Sequence, residues 1–252
     1  TRSVCVKNEG SETLKVEKIY SACLDMDNED FEMISLHGSW ARERHIQQGA
    51  LRYGKQLVSS GKGESSHQEH PFVAMVTPGT DQERGEVYAM HFIGQVERCQ
   101  FDTVRMVMGI NQDEFCWNLK AGDEFQAPEV VMVYSAEGLG EMTRSYHAFY
   151  RRHMIRSPYN HKKRPILINN WEATYFDFNT EKLLDIAREA KKDGIEMLVM
   201  DDGWFGKRNK DDSSLGDWVV NEEKIKGGLK NLVDKVNEIG LEFGIWFEPE
   251  MI

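Results

Sequence analysis

Ile195-Glu196-Met197-Leu198-Val199-Met200-Asp201-Asp202-Gly203-Trp204-Phe205-Gly206 is an apolar run that stops at two adjacent aspartates and an aromatic turn. A short apolar run that follows a glycine reads as a buried strand. In a parallel sheet or barrel, ligands gather at the carboxyl ends of the strands, so Asp201 and Asp202 mark a candidate site.

The flanks give that strand its setting. Upstream, Leu183, Ile186, Ala187 and Ala190 recur at helical spacing between Glu181 and Asp193, with Asn179 placed to cap the helix and Gly194 to stop it. Ile166 to Ile168 is a short β-branched strand ahead of that helix. Downstream, Leu229 to Ile239 is a second amphipathic helix closed by Gly240, and Leu241 to Phe247 is a third strand. Each helix is a crossover, which demands a parallel sheet. The strand ends share one chemistry: Asn169, Asn170, Trp171 and Glu172; then Asp201, Asp202 and Trp204; then Trp246, Glu248 and Glu250. No Gly-rich phosphate turn follows the first strand, which favours a barrel over a doubly wound sheet. Eight βα units take roughly 250 residues. Pro165 to Ile252 holds far fewer, so the expectation is the first part of a (β/α)8 TIM barrel, truncated after about three strands.

From Ser3 to about Tyr134 the pattern changes to short β-rich runs separated by Gly, Asn, Asp and Ser. Ser3 to Lys7, Thr13 to Ile19, Phe31 to Leu36, Phe72 to Val76, Glu86 to Phe92, Thr103 to Met108 and Glu129 to Tyr134 are examples. Many alternate with period two, which argues for an antiparallel β-sandwich. Between Leu139 and Met154, Met142, Tyr146, Phe149 and His153 fall on one helical face. The resulting division is a sandwich over 1–138, a helical linker over 139–164 and the barrel start over 165–252.

With 252 residues and a formal net charge of -11, the chain repels phosphate backbones. Arg144 to Arg164 is rich in Lys and Arg without an acid, and reads as a solvated linker helix against acidic neighbours, not a nucleic-acid patch. No apolar run approaches the roughly 20 residues needed to cross a bilayer, and the first thirty residues carry no signal-peptide pattern. Cys5, Cys23, Cys99 and Cys116 are scattered, as expected of reduced thiols in a cytoplasmic protein, although a chain that starts at Thr1 leaves a lost upstream signal open.

Sugar recognition needs carboxylates that accept hydrogen bonds from neighbouring hydroxyls and an aromatic plate for the apolar face of a pyranose. Asp201 and Asp202, with Trp171, Trp204 and Trp246, supply both. The bland alternative is that Asp201 caps a turn and the tryptophans fill the core. Adjacent residues at one strand end cannot flank a scissile bond from opposite sides, which assigns the aspartates to binding and not to bond breaking. Glu248 and Glu250 flank Pro249 and could face the ligand or brace the strand end. His67 and His70 read as part of a polar loop, not a metal site.

Four motifs carry a resemblance. Asn169-Asn170-Trp171-Glu172-Ala173-Thr174, Asp201-Asp202-Gly203-Trp204-Phe205-Gly206, Leu215-Gly216-Asp217-Trp218 and Gly244-Ile245-Trp246-Phe247-Glu248-Pro249-Glu250-Met251 stand in the order and spacing of bacterial α-galactosidases of glycoside hydrolase family 36. Upstream, Gly38-Ser39-Trp40-Ala41-Arg42-Glu43-Arg44 and Gly109-Ile110-Asn111 resemble the family's sandwich domain. The resemblance implies a β-supersandwich followed by a (β/α)8 barrel, and a retaining hydrolysis of terminal α-linked galactose from substrates such as melibiose and raffinose. Trp171, Asp201, Asp202 and Trp246 match positions of the galactose subsite, with the aspartates on the hydroxyls at C4 and C6. A carboxylate gripping the axial C4 hydroxyl would discriminate against glucose. It also implies a homotetramer and carboxylate-only chemistry with no cofactor or metal.

The departures from the family pattern shape a further expectation. The family's nucleophile, in a Lys-Trp-Asp motif, and its later acid/base aspartate do not occur before Ile252, so an inactive internal fragment is expected. A Ser-Gly-Asn-Phe segment usual in the sandwich is missing around Ile93 to Val96, which predicts an altered edge there. An α-N-acetylgalactosaminidase, a related galactosyl transferase and a noncatalytic carbohydrate-binding protein remain open on the same residues.

Overall fold

A computed structural model describes residues 1–60, 67–91, 94–98 (backbone) and 103–248. Two compact units divide it, Thr1–Arg156 and Ser157–Ile252.

The first unit is mostly strands. Its larger sheet has five, in the spatial order Val131–Ser135, Val87–His91, Glu69–Val76, Glu32–Ser39 and Arg42–Ala50, and all neighbours run antiparallel. A second sheet has four, in the order Tyr20–Asp27, Thr103–Gly109, Gly94–Arg98 and Gly54–Val58. Side chains alternate across a strand, and that alternation explains the layers. Val73, Met75 and Met90 point to one side of the five-stranded sheet and share a core with Ala22, Val58, Val104, Met106 and Met108 of the four-stranded sheet. Ala74, Val76, Val87 and Ala89 point to the other side and pack against Met142 and Tyr146. A sheet covered on both faces needs near-continuous apolar strands, and Phe72-Val73-Ala74-Met75-Val76 is one.

The helix Gly138–Phe149, continued by a π-helical turn Tyr150–Met154, carries Met142 and Tyr146. Tyr146 Oη donates to the carbonyl of Val131 at 3.2 Å. Here the structure differs from a solvated linker: the helix covers the sandwich because its apolar stripe completes the second layer of the core. Arg144 on its outer side pairs with Glu141 at 3.0 Å. The altered edge expected around Ile93 to Val96 does not fall on a sheet edge among the described residues. Ile93 lies outside the described residues, as does Cys99, and Gly94–Arg98 is an interior strand paired on both sides. His70 belongs to a strand, not to a loop, while His67 is exposed.

His70 and His91 lie 5.5 Å apart, centroid to centroid, and line a cavity of about 460 Å³ with Arg44, Phe72, Tyr146 and Tyr150. His91 Nδ1 and Tyr150 Oη are 2.6 Å apart. Burial holds both imidazoles below their ordinary value of 6.5, reinforced by Arg44 at His70 and by His70 at His91. The unfolded chain therefore takes up protons where the folded one does not, and stability falls as pH drops through about 6.5. The carboxylates held low by their partners, such as Asp25 beside Arg105, act only in a more acid window. We expect a lower urea midpoint at pH 5.5 than at pH 7.5, and a smaller difference between the two in His91→Gln. The same difference in both proteins would refute the assignment.

In the second unit, Leu167–Asn169, Met197–Met200 and Glu242–Ile245 form a parallel three-stranded sheet in that order, linked through the helices Thr180–Lys192 and Gly228–Ile239. Asn179 Oδ1 accepts from the Lys182 amide at 3.0 Å and caps the first of them. Gly194 and Gly240 end the two helices with φ of 83° and 90°. Leu198 and Met200, two apart on one strand face, are fully buried against Leu183, Ala187, Leu232 and Val236 of the helices. Parallel pairing brings the carboxyl ends of all three strands together.

Candidate functional site

Asn169, at the end of the first strand, is a bridge. Its Oδ1 accepts from the Trp171 amide at 2.7 Å, and its Nδ2 donates to Asp201 Oδ2 in a short contact. The next residue, Asn170, is fully buried. Its Oδ1 accepts from the Asp201 amide at 2.8 Å and its Nδ2 donates to Thr174 Oγ1 at 2.8 Å. The third strand joins through the Trp246 amide, which donates to the carbonyl of Met200 at 2.9 Å. Asp201 is thus fixed in backbone and side chain by its neighbours on the first strand, yet stays half-exposed.

Asp202 has a different environment. It is 6% exposed, and both of its oxygens accept from Arg208, itself 3% exposed. Arg208 Nε lies 3.0 and 3.1 Å from Oδ1 and Oδ2, and Nη2 lies 2.8 Å from Oδ2. Nη1 donates to the carbonyls of Asp211, in a short contact, and Ser213 at 3.0 Å. The hydrogen bonds to Asp202, with the nearby charges of Asp211 and Glu248, raise the Arg208 pKa against the cost of burial. Lys224 sits close by. Its Nζ donates to the carbonyls of Phe176, Gly203 and Arg208 at 2.9, 3.1 and 3.2 Å, and burial lowers its pKa against the pull of Asp202 and Asp177. Gly203 has φ of 101°, and a Cβ there would meet the ring of Phe176 at 3.0 Å, so the turn after the aspartates requires glycine.

The aromatic groups divide in two. Trp171 and Trp246 are half-buried, and the Trp171 ring meets Tyr175 and Phe176 edge-on at 5.2 and 5.0 Å. Trp204 is 2% exposed, donates from Nε1 to the Trp246 carbonyl at 3.0 Å and packs among Phe205, Trp218 and Phe247. It is a core residue that braces the third strand, so the expectation of a sugar plate there is corrected. Glu248 is half-buried; Pro249 and Glu250 lie outside the described residues.

Arg208 and Lys224 carry no motif, and sequence reasoning passed over both. The only available signal was that a buried carboxylate needs a partner, and Lys207, Arg208 and Lys210 were equally near along the chain. Chemically, the face offers a half-exposed carboxylate, a second carboxylate held by a guanidinium, and two aromatic surfaces. That set can bind hydroxyls and cover a pyranose face. The two carboxylates therefore differ: Asp202 is committed to Arg208 through both oxygens, while Asp201 keeps a half-exposed carboxylate at the strand end. Among the described residues, no cluster of three or more His, Cys, Asp or Glu could hold a metal ion, and no helix is long and apolar enough to cross a membrane.

Comparison with known proteins gives the same direction. The model of the glycosyl hydrolase family 36 N-terminal domain matches residues 1–120, and the melibiase model matches residues 124–252. α-Galactosidase AgaA of Geobacillus stearothermophilus is 49% identical over 258 residues, covering 100% of this chain and 35% of that protein. The bifunctional α-galactosidase/sucrose kinase AgaSK of Mediterraneibacter gnavus is 45% identical, covering 100% of this chain and 28% of that protein. The crystal structure of AgaA superposes with a TM-score of 0.91 over 98% of this chain and 35% of that one. The chain spans about a third of the length of the curated relatives it matches. With both halves of the sequence matched by successive models, the chain belongs to the melibiase family, glycoside hydrolase family 36.

Proposed function

We propose that the chain works within a retaining α-galactosidase that removes terminal α-linked galactose from oligosaccharides such as melibiose and raffinose. Its part is one wall of the galactose subsite, built from Trp171, Asp201, Asp202 and Trp246, on the rim of a (β/α)8 barrel that the three parallel strands begin. The observation that carries this reading is the convergence at one sheet end of Asp201, fixed by Asn169 and Asn170, with Trp246, fixed by Met200. The strand faces support the barrel. Leu198 and Met200 are buried under the helices, while Met197 and Val199 on the opposite face are only half-buried, as suits a face that further strands would cover. A relative supports the raffinose reading: variants of AgaA have been crystallised in complex with raffinose and with stachyose. On the same reading the full-length protein is a cytoplasmic homotetramer, and its nucleophile and acid/base lie beyond Ile252.

The test compares the full-length protein with residues 1–252 alone on 4-nitrophenyl α-D-galactoside. The full-length protein should hydrolyse it with release of α-galactose, and residues 1–252 should show no turnover. Turnover by residues 1–252, or a preference of the full-length protein for the N-acetyl-α-D-galactosaminide, would overturn the proposal.

A further inference from the structure

We infer that Arg208 is a positioning residue for the sugar site: it acts through Asp202, holding that carboxylate in one orientation toward the hydroxyl it receives. This deepens the functional reading above and rests on it.

The geometry of the guanidinium carries the inference. An arginine offers five N–H donors in a rigid planar fork. Here Nε and Nη2 grip the two oxygens of Asp202 at 2.8 to 3.1 Å. Nη1 is fastened behind to the main-chain carbonyls of Asp211 and Ser213. Its Cζ also lies over the Phe176 ring, 5.6 Å from the centroid. The guanidinium is anchored behind by two main-chain carbonyls, so Asp202 takes its orientation from that backbone as well as from its own two torsions. A buried carboxylate so held has acceptor sites left in fixed directions only, which is what selection of one hydroxyl over another requires. Lysine could supply the charge without the fork.

The main chain at Arg208 is tied through Lys224 to a neighbouring segment as well. Glu248, three residues past the third strand, contributes to the field on its guanidinium, while the Arg208 carbonyl is bound by Lys224, which also holds the carbonyl of Phe176 from the segment after the first strand. Through Lys224 the loop that supplies Arg208 is thereby registered against the segment that follows Trp171.

A double-mutant cycle in the full-length protein tests this, with kcat/KM measured on 4-nitrophenyl α-D-galactoside and on its 4-deoxy and 6-deoxy analogues. Arg208→Lys should lower kcat/KM on the galactoside by about 10- to 100-fold, the scale of a hydrogen bond to a charged group. It should lower the rate on one deoxy analogue far less, since that analogue lacks the hydroxyl Asp202 receives. In an Asp202→Asn background the same substitution should change kcat/KM by less than about threefold, because coupled residues are not additive. Equal losses in both backgrounds, or equal losses on all three substrates, would overturn the positioning role and leave the functional reading standing. No effect of Asp202→Asn itself would overturn the subsite assignment and this inference together. Should Arg208→Lys not fold, Arg208→Met combined with Asp202→Asn removes both buried charges, and it must match Asp202→Asn alone on every substrate for the inference to stand.

Discussion

Asp201→Ala in the full-length protein should lower kcat/KM on an α-galactoside by about 10²- to 10⁴-fold while leaving its stability within about 1 kcal/mol. Asp201 is half-exposed, and its carboxylate accepts from Asn169 and from the Asp202 amide, so the carboxylate is already oriented before a sugar arrives. A preorganised acceptor spends little free energy on ordering itself when a ligand binds. Each hydrogen bond to a charged group contributes about 1.5 to 3 kcal/mol, and two hydroxyl contacts give the range above. The modest stability change follows from position: removing a half-exposed side chain opens no cavity in the core around Leu198 and Met200. Steady-state kinetics together with a urea midpoint decide it. A loss below tenfold would remove Asp201 from the subsite, and a large stability loss would show that it braces the strand end instead.

The parallel unit was legible because its signals are local. Asn179 caps through its own side chain, and Gly194 and Gly240 stop through their own backbone conformation. The apolar spacing of Leu183, Ala187, Leu232 and Val236 follows from helix geometry alone. What was not legible depends on distant partners. Arg42–Ala50 is a strand with no buried residue, held at the sheet edge by pairing to Glu32–Ser39, so it has no hydrophobic pattern to read. The helical stripe between Leu139 and Met154 is legible, but whether it meets solvent or the sandwich depends on Val131 and Ala89, on strands that the helix's own periodicity does not reveal.

The site divides along the same line. Its carboxylates and tryptophans stood out at the strand ends, yet the sequence treats Asp201 and Asp202 as twins. The structure separates them by burial and by Arg208, six residues on, whose selection over Lys207 and Lys210 depends on the path of a loop without regular structure. Trp171, Trp204 and Trp246 likewise look equivalent at three strand ends. Only the inward turn of Trp204, enforced by its bond to the Trp246 carbonyl, takes it out of the site and into the core.

Phe205→Ala should cost about 3 to 5 kcal/mol, the scale for truncating a buried phenylalanine. The stretch between Met200 and Gly228 has no regular element beyond a bridge of Phe205 to Val220, and long irregular loops inside compact domains are uncommon unless they carry function. This one is ordered by its own core. Phe205 is fully buried, with its ring 4.6 Å from Trp218 and 5.1 Å from Trp204, and its neighbours Gly206 and Asn221 donate to Val219 and Trp204 at 2.8 and 2.9 Å. Deleting the ring leaves a cavity bounded by tryptophans that cannot close in without moving the third strand, because Trp204 is tied to Trp246. The same loop supplies Arg208, so the loss of packing and the loss of sugar affinity should appear together. In the full-length protein we expect the tryptophan fluorescence transition in urea to move down by about 1.5 M or more, taking a slope of about 2 kcal/mol/M. A shift under about 0.5 M would mean that the loop folds outside the cooperative core, and that the order around Asp202 comes from Arg208 and Lys224 alone.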